Sequence, residues 1–252
     1  MISIKSEKEI ELMRHASYLV SLTHDYLKSF IKEGITTIEL DKLAHDFIIK
    51  NGGVPSCLGY NGYPNTLCTS VNDVVVHGIP NNKKLKNGDI ITIDMVIGYK
   101  GYQGDAAWTY KVGDVSSDKD YLMEHTKKAL YVGIEQVKPG NRIGDISSAI
   151  EEYAKKYNLG VVRELCGHGI GTNMHEDPEV PNYGSPNTGA RLKEGMVICI
   201  EPMLTFGKRY IYEDNDGWTI KTKDKEPAAH YEHTVLVTKD GYEILTKRIN
   251  ED

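Results

Sequence analysis

Apolar residues recur at close to a helical period over the first part of the chain. Ile10, Met13, Ala16, Val20, Leu27 and Ile31 follow a Ser6/Glu9 capping box, and Gly34 supplies a stop, so the pattern predicts one helix over 6–33. A second capping box, Thr36 and Glu39, opens another helix with the stripe Leu40, Leu43, Ala44 and Phe47, closed by Asn51-Gly52-Gly53. Residues 54–80 mix Gly, Pro and Asn with short apolar runs and read as strands and loops. Residues 89–98 and 102–112 read as two strands joined at Tyr99-Lys100-Gly101. Helices are predicted again over 121–137 and 144–157, parted by Pro139-Gly140, and strands over 196–204 and 231–238.

The second set of elements repeats the first. LKNGDIITID (85–94) aligns with LKEGMVICIE (192–201), and both segments end in a carboxylate. Upstream, IKEG (31–34) matches VKPG (137–140), and Tyr18, Leu19, Thr23 and Leu27 match Tyr121, Leu122, Thr126 and Leu130. The expectation is a single domain over 1–252 made of two related helix-strand halves, about 1–113 and 118–252. With no long linker between them, the halves are expected to share one sheet.

Composition narrows the function classes. With 40% hydrophobic and 26% charged residues in 252, the chain can bury a sizeable core. A net charge of -6 argues against a broad nucleic-acid surface. Cys57, Cys68, Cys166 and Cys199 form no C-x-x-C and are too sparse for a disulfide framework. MISIKSEKEIEL places charges where a signal peptide needs apolar residues, and no apolar run is long enough to span a membrane. A cytoplasmic protein is expected.

The chemistry lies in acids set within apolar runs. Asp94 and Glu201 sit at matching positions of the repeat, and a buried lone carboxylate needs a cation, donors or a proton. With the hairpin turn centred at Tyr99-Lys100, Asp105 falls directly opposite Asp94. Glu232, in AAHYEHTVLV, corresponds to Asp105 in the other half. Four converging carboxylates imply more than one divalent ion. His168, in CGHGIG, supplies a nitrogen donor between glycines; His77, in VVVHGIP, is likewise followed by glycine, and His175 lies seven residues after His168. An oxygen-rich shell with one nitrogen suits Mn, Fe, Co or Zn, and a pair of such ions suits hydrolysis.

NDVVVHGIP (72–80), ITIDMVIGYKGYQGD (91–105), GHGIGTNMHEDP (167–178), IEP (200–202) and YEHT (231–234), in this order, resemble the methionine aminopeptidases. The resemblance implies a pita-bread fold: two pseudo-symmetric α/β halves around a central antiparallel sheet. It implies that Asp94, Asp105, His168, Glu201 and Glu232 hold two divalent ions, with Asp105 and Glu232 bridging them. It implies that His77 lies near the leaving amide nitrogen, that His175 stabilises the carbonyl oxygen, and that Glu201 shuttles a proton. Cys57, Tyr60, Tyr63, Cys68 and Trp218 would form the methionine pocket. Asn61 and Met174 depart from the usual pattern, standing where a His and an aromatic are frequent, and would alter the pocket's shape. The short interval between Glu201 and Glu232 points to the bacterial type I form. Proline-specific peptidases of this fold usually carry a large N-terminal domain, whereas here the first helix begins at residue 6. The implied partners are peptides and nascent chains starting with methionine, with transient ribosome association, and no membrane or specific nucleic acid. The default assembly is a monomer.

Overall fold

The computed structural model describes residues 1–248. The first half runs α1 (Glu7–Lys28), α2 (Thr37–Lys50), β1 (Val54–Pro55), β2 (Cys68–Val71), β3 (Val74–Val76), β4 (Ile90–Tyr99) and β5 (Tyr102–Lys111). The second runs α3 (Ser117–Ile134), α4 (Ile143–Lys156), β6 (Gly160–Val161), β7 (Gly167–Gly169), β8 (Glu176–Val180), β9 (Val197–Ile200) and β10 (Met203–Thr205). It continues through β11 (Ile211–Glu213), β12 (Ile220–Thr222), β13 (Ala228–His230), β14 (His233–Val237) and β15 (Tyr242–Ile244). Among the described residues, no helix is long and apolar enough to cross a membrane.

The capping boxes start the first two helices. The Glu39 carboxylate accepts from the Thr36 N–H at 2.8 Å while Thr36 Oγ1 accepts from the Glu39 N–H at 3.2 Å. The first helix is shorter than its apolar period predicts and stops at Lys28 rather than near Gly34. Its continuation is claimed by a different partner: the Gly34 N–H donates to Leu85 O, and the Leu85 N–H donates to Ile35 O, both at 2.8 Å. The second half repeats this construction. The Gly140 N–H donates to Leu192 O, and the Leu192 N–H to Asn141 O. The LKxG segments are therefore hydrogen-bonded to equivalent helix-connecting turns. The third helix begins before residue 121 because Ser116 caps a polar first turn, accepting from the Lys119 N–H at 3.4 Å.

Two ladders carry the fold. In one, β4 pairs antiparallel with β5 on one edge and with β1 and β2 on the other; the second has the order β15-β14-β9-β7-β8. The two ladders meet where the Glu232 N–H donates to Ala107 O at 2.9 Å and the Thr234 hydroxyl donates to Asp105 O at 2.8 Å. The shared sheet is thus two ladders stitched along β5 and β14, under helices whose apolar faces bury Met13, Leu27, Leu40, Leu122, Leu130 and Ile150.

The strand expected at 196–204 is two strands, while the one expected at 231–238 is β14 alone, with β13 a separate strand just before it. The first breaks at Glu201-Pro202, where proline has no N–H for a ladder, and Tyr231-Glu232 forms the break between β13 and β14. At both breaks the chain passes from the five-stranded ladder to the three-stranded sheet of β13, β10 and β6, or back. The acid at each break is therefore released from strand pairing on one side.

A buried imidazole makes the fold acid-sensitive. His24 Nε2 donates to Ala106 O at 3.1 Å and Nδ1 lies 3.0 Å from the Tyr110 hydroxyl, which also accepts from Arg248. Burial and the Arg248 charge lower its pKa to about 3. The unfolded chain takes up the proton first, near its ordinary value of about 6.5, so this contribution is complete above that pH and is lost as pH falls toward 3. The loss is about 1.4 kcal/mol per pH unit within that window. His24→Gln is expected to flatten the decline of stability between about pH 6 and pH 4 in urea titrations. An unchanged slope would remove His24 from the account.

Candidate active site

The β4–β5 hairpin places the first two acids, in a register two residues from the expected one. Lys100 (φ 48°) and Gly101 (φ 86°) form a two-residue turn with both residues left-handed, so Tyr99 pairs with Tyr102. Asp94 consequently faces Ala107, and Asp105 faces Val96. The acids are diagonal neighbours on one face, at a Cα spacing of about 7–8 Å. Asp94 lies in the middle of β4.

His168 is set by the flanking backbone. A Cβ on Gly167 would come 2.3 Å from Cys199 O, and one on Gly169 would come 2.1 Å from Asp177 O. Only glycines let β7 fit between β8 and β9 there. His168 Nδ1 donates to Gly169 O at 2.9 Å, which leaves the Nε2 lone pair pointing at the acids. Nε2 is 3.5 Å from Glu201 Oε1 and 3.8 Å from Asp105 Oδ2. Burial lowers the His168 pKa to about 4, so the ring is neutral, as a ligand must be.

The acids repel one another in a buried space. Burial, with charges from Glu232 and Asp94, raises the Asp105 pKa well above the usual range. Burial acts likewise on Glu201, with Asp105 and Asp94, and on Glu232, with Glu201 and Asp94. Burial raises Asp94 to about 7. Asp105 Oδ1 and Glu232 Oε1 are buried without a hydrogen-bond partner among the described residues. Such orphaned oxygens are costly in a fold of this size and fit a cation. Potential ligand atoms of Asp105, His168, Cys199 and Glu232 all lie within 4.8 Å of one another. Cys199 was not expected there. Burial and the surrounding carboxylates push its thiol pKa well up, so it stays protonated and is a poor ligand beside the oxygens.

One cavity of about 330 Å³ is lined by every residue expected in the site. Asp94, Asp105, His168, Glu201 and Glu232 border it together with His77 and His175. His77 has a left-handed backbone (φ 58°), unusual for a non-glycine residue, and burial holds its pKa at about 4. His175 Nδ1 lies 2.7 Å from the Tyr60 hydroxyl, and its ring packs edge-on against His168 at 4.3 Å. Cys57, Tyr63, Cys68 and Met174 form a small buried cluster with Tyr60 and Trp218 against it. Tyr63 meets the Trp218 ring edge-on at 5.0 Å, and its hydroxyl donates to backbone oxygens of Leu67 and Gly78. Asn61 (φ 48°) sits in a turn between Gly59 and Gly62, all three left-handed, a conformation asparagine accepts readily.

The lining also holds residues outside the expected set, Val76, Val96, Leu165, Cys166, Met203 and His230, of which His230 is the one histidine. His230 is 1% exposed, and neither ring nitrogen has a hydrogen-bond partner among the described residues. Its Nε2 lies 3.7 Å from Glu201 Oε2 and 4.0 Å from Glu232 Oε2. The available signal was its spacing, two residues before Glu232, which puts both on one face of an extended segment.

A cavity floored by buried acids and a neutral imidazole, with a thiol and aromatic wall, defines a metal-dependent hydrolase class of site. The chain belongs to metallopeptidase family M24, whose family profile matches residues 11–239. It is 49% identical to methionine aminopeptidase 1 of Bacillus subtilis, over 98% of this chain and 100% of that protein. It is 43% identical to the methionine aminopeptidase of Escherichia coli K12, over 98% of this chain and 94% of that one. The crystal structure of methionine aminopeptidase from Rickettsia prowazekii superposes with a TM-score of 0.97 at 46% identity, covering 98% of this chain and 100% of that chain. A prolidase from Pyrococcus horikoshii is more distant, with a TM-score of 0.79 at 26% identity, and this chain covers 64% of it. The fold is the pita-bread arrangement of these enzymes.

Proposed function

We propose that this chain is a methionyl aminopeptidase, removing the initiator methionine from peptides and nascent chains whose second residue is small. The observation that carries the proposal is the convergence of Asp94, Asp105, His168, Glu201 and Glu232 on one buried cavity walled by Cys57, Tyr60, Tyr63, Cys68, Met174 and Trp218. The full-length similarity to methionine aminopeptidases, against a partial one to a prolidase, favours methionine over proline specificity.

The five residues would hold two divalent ions. When bound, such ions supply Lewis-acid polarisation and lower the pKa of water. The protein's own groups do the rest. Glu201 takes the proton of the attacking water and returns it to the leaving amine. His175, with Nδ1 engaged by Tyr60, keeps Nε2 for the substrate carbonyl oxygen as negative charge develops there. His77 holds the leaving nitrogen. The sulfur and ring edges of the wall suit a thioether side chain. Asn61 and Met174 shape this wall. The ions are of the Mn, Fe, Co or Zn type.

The chain is further assigned as one catalytic domain built from a pseudo-repeat, about 1–113 and 118–252. The duplicated Gly34–Leu85 and Gly140–Leu192 hydrogen bonds support this. It works as a cytoplasmic monomer, meeting nascent chains in transient contact with the ribosome and binding neither membrane nor specific nucleic acid.

The test is release of methionine from Met-Ala-Ser. Exhaustive chelation, with metal content checked, is expected to abolish release, and added Mn2+ or Co2+ to restore it. Under the same conditions Met-Lys-Ser is expected to react at least about 100-fold more slowly, a discrimination of ~3 kcal/mol. Full activity after chelation would end the metal assignment, and equal cleavage of the two peptides would end the specificity assignment.

A further inference from the structure

His230 has the marks of a working group rather than a packing one. It closes β13 and is essentially inaccessible, yet both ring nitrogens lack a partner among the described residues. A neutral imidazole carries one N–H and one lone pair, and burying both unsatisfied is a cost that a structural residue would not impose. Its neighbours explain the cost. Nε2 points between two carboxylates, 3.7 Å from Glu201 Oε2 and 4.0 Å from Glu232 Oε2. His168 Nε2 approaches the other Glu201 oxygen, Oε1, at 3.5 Å. The Glu201 carboxylate therefore lies between two imidazole edges, and its backbone oxygen is separately anchored by Asn182 Nδ2 at 3.0 Å. The distances from His230 are slightly beyond a hydrogen bond, within reach of a small side-chain rotation.

We propose that His230 is a positioning residue for Glu201: its Nε2–H donates to Glu201 Oε2 and fixes the rotamer in which the carboxylate faces the cavity. His168 has its Nε2 lone pair toward the acids, because Nδ1–H is spent on Gly169 O. It cannot donate to Glu201 from that side. His230 is the imidazole placed to do so, and a carboxylate that must accept and return a proton gains most from a fixed orientation.

The inference rests on the proposed reading of Glu201, and wild-type turnover of Met-Ala-Ser is the control that tests that reading separately. If the wild-type protein releases no methionine, the functional proposal fails, and nothing about His230 is needed to see it. Given wild-type turnover, three measurements on Mn2+-loaded His230→Leu and His230→Gln decide. His230→Leu is expected to lower kcat about 10- to 100-fold, with KM within about twofold. Its Mn2+ stoichiometry and affinity by calorimetry should match wild type. His230→Gln, which keeps an N–H donor, should restore kcat to within about fivefold of wild type. The metal-free Leu variant should melt at or above the wild-type temperature, since it removes an unsatisfied buried polar group. Wild-type kcat in His230→Leu overturns the proposal. So does a Gln variant as slow as the Leu variant, and so does a tenfold loss of Mn2+ affinity, which would make His230 a ligand. A marked fall in metal-free melting temperature, or failure to fold, in both variants would make it a structural residue and also overturn the proposal.

Discussion

Glu201→Gln is expected to lower kcat on Met-Ala-Ser by about three orders of magnitude, the upper part of the range for a positioned acid–base group. The substitution keeps the size and shape of the side chain and removes its ability to hold a proton. The surrounding structure gives it little reason to unfold. The Glu201 backbone oxygen stays bound to Asn182, and the break at Pro202 does not depend on the charge. Removing one acid also relieves repulsion from Asp105 and Asp94, which now raises the Glu201 pKa beyond what burial does. The melting temperature of the metal-free variant should therefore hold or rise. Counting bound Mn2+ by mass spectrometry separates the two ways activity can fall. If the ions remain and kcat collapses, the proton role is supported; if kcat stays near wild type with the ions bound, Glu201 carries no proton.

How much of this site could be read from the sequence depends on what each step required. The acids were legible because each interrupts an apolar run, and a chain of this composition does not bury carboxylates without a reason. His168 was legible through its two glycines, and the close backbone contacts to Cys199 O and Asp177 O show why those glycines are needed. Register was harder. Alternation along β4 and β5 says which face a residue takes, but the pairing depends on whether the turn is centred on residues 99–100 or 100–101. The left-handed pair Lys100-Gly101 settles that. The break at Glu201-Pro202 is hidden because apolar residues continue on both sides, so hydropathy sees one strand where hydrogen bonding makes two. The first helix ended early because its last residues are needed by Leu85, a contact distant in sequence. Cys199 and His230 were missed for a related reason. Each is a residue type with common packing roles, and only its approach to acids from other strands marks it out.

The opposed demands of folding and binding lead to a second large effect, at Asp105. Asp105→Asn is expected to abolish activity and to stabilise the metal-free protein. Asp105 is 4% exposed, carries an orphaned Oδ1, and is pushed toward protonation by burial and by Glu232 and Asp94. An asparagine of the same shape carries no charge and brings two N–H donors to a neighbourhood rich in acceptors. Its backbone contacts with Thr234 are untouched, so the stitching of β5 to β14 should survive. Each 1 kcal/mol of relieved repulsion should raise the melting temperature by about 2–4 °C in a domain of this size. Ion binding runs the other way. At 100 times the dissociation constant, a bound ion stabilises the native state by about 2.7 kcal/mol. Wild type should therefore melt higher when Mn2+ is added, and Asp105→Asn should respond little. Calorimetric scans of both proteins with and without Mn2+ measure all four states. A metal-free variant clearly less stable than wild type, or one that Mn2+ stabilises as strongly, would show that Asp105 is held by the fold for its packing and not for a cation.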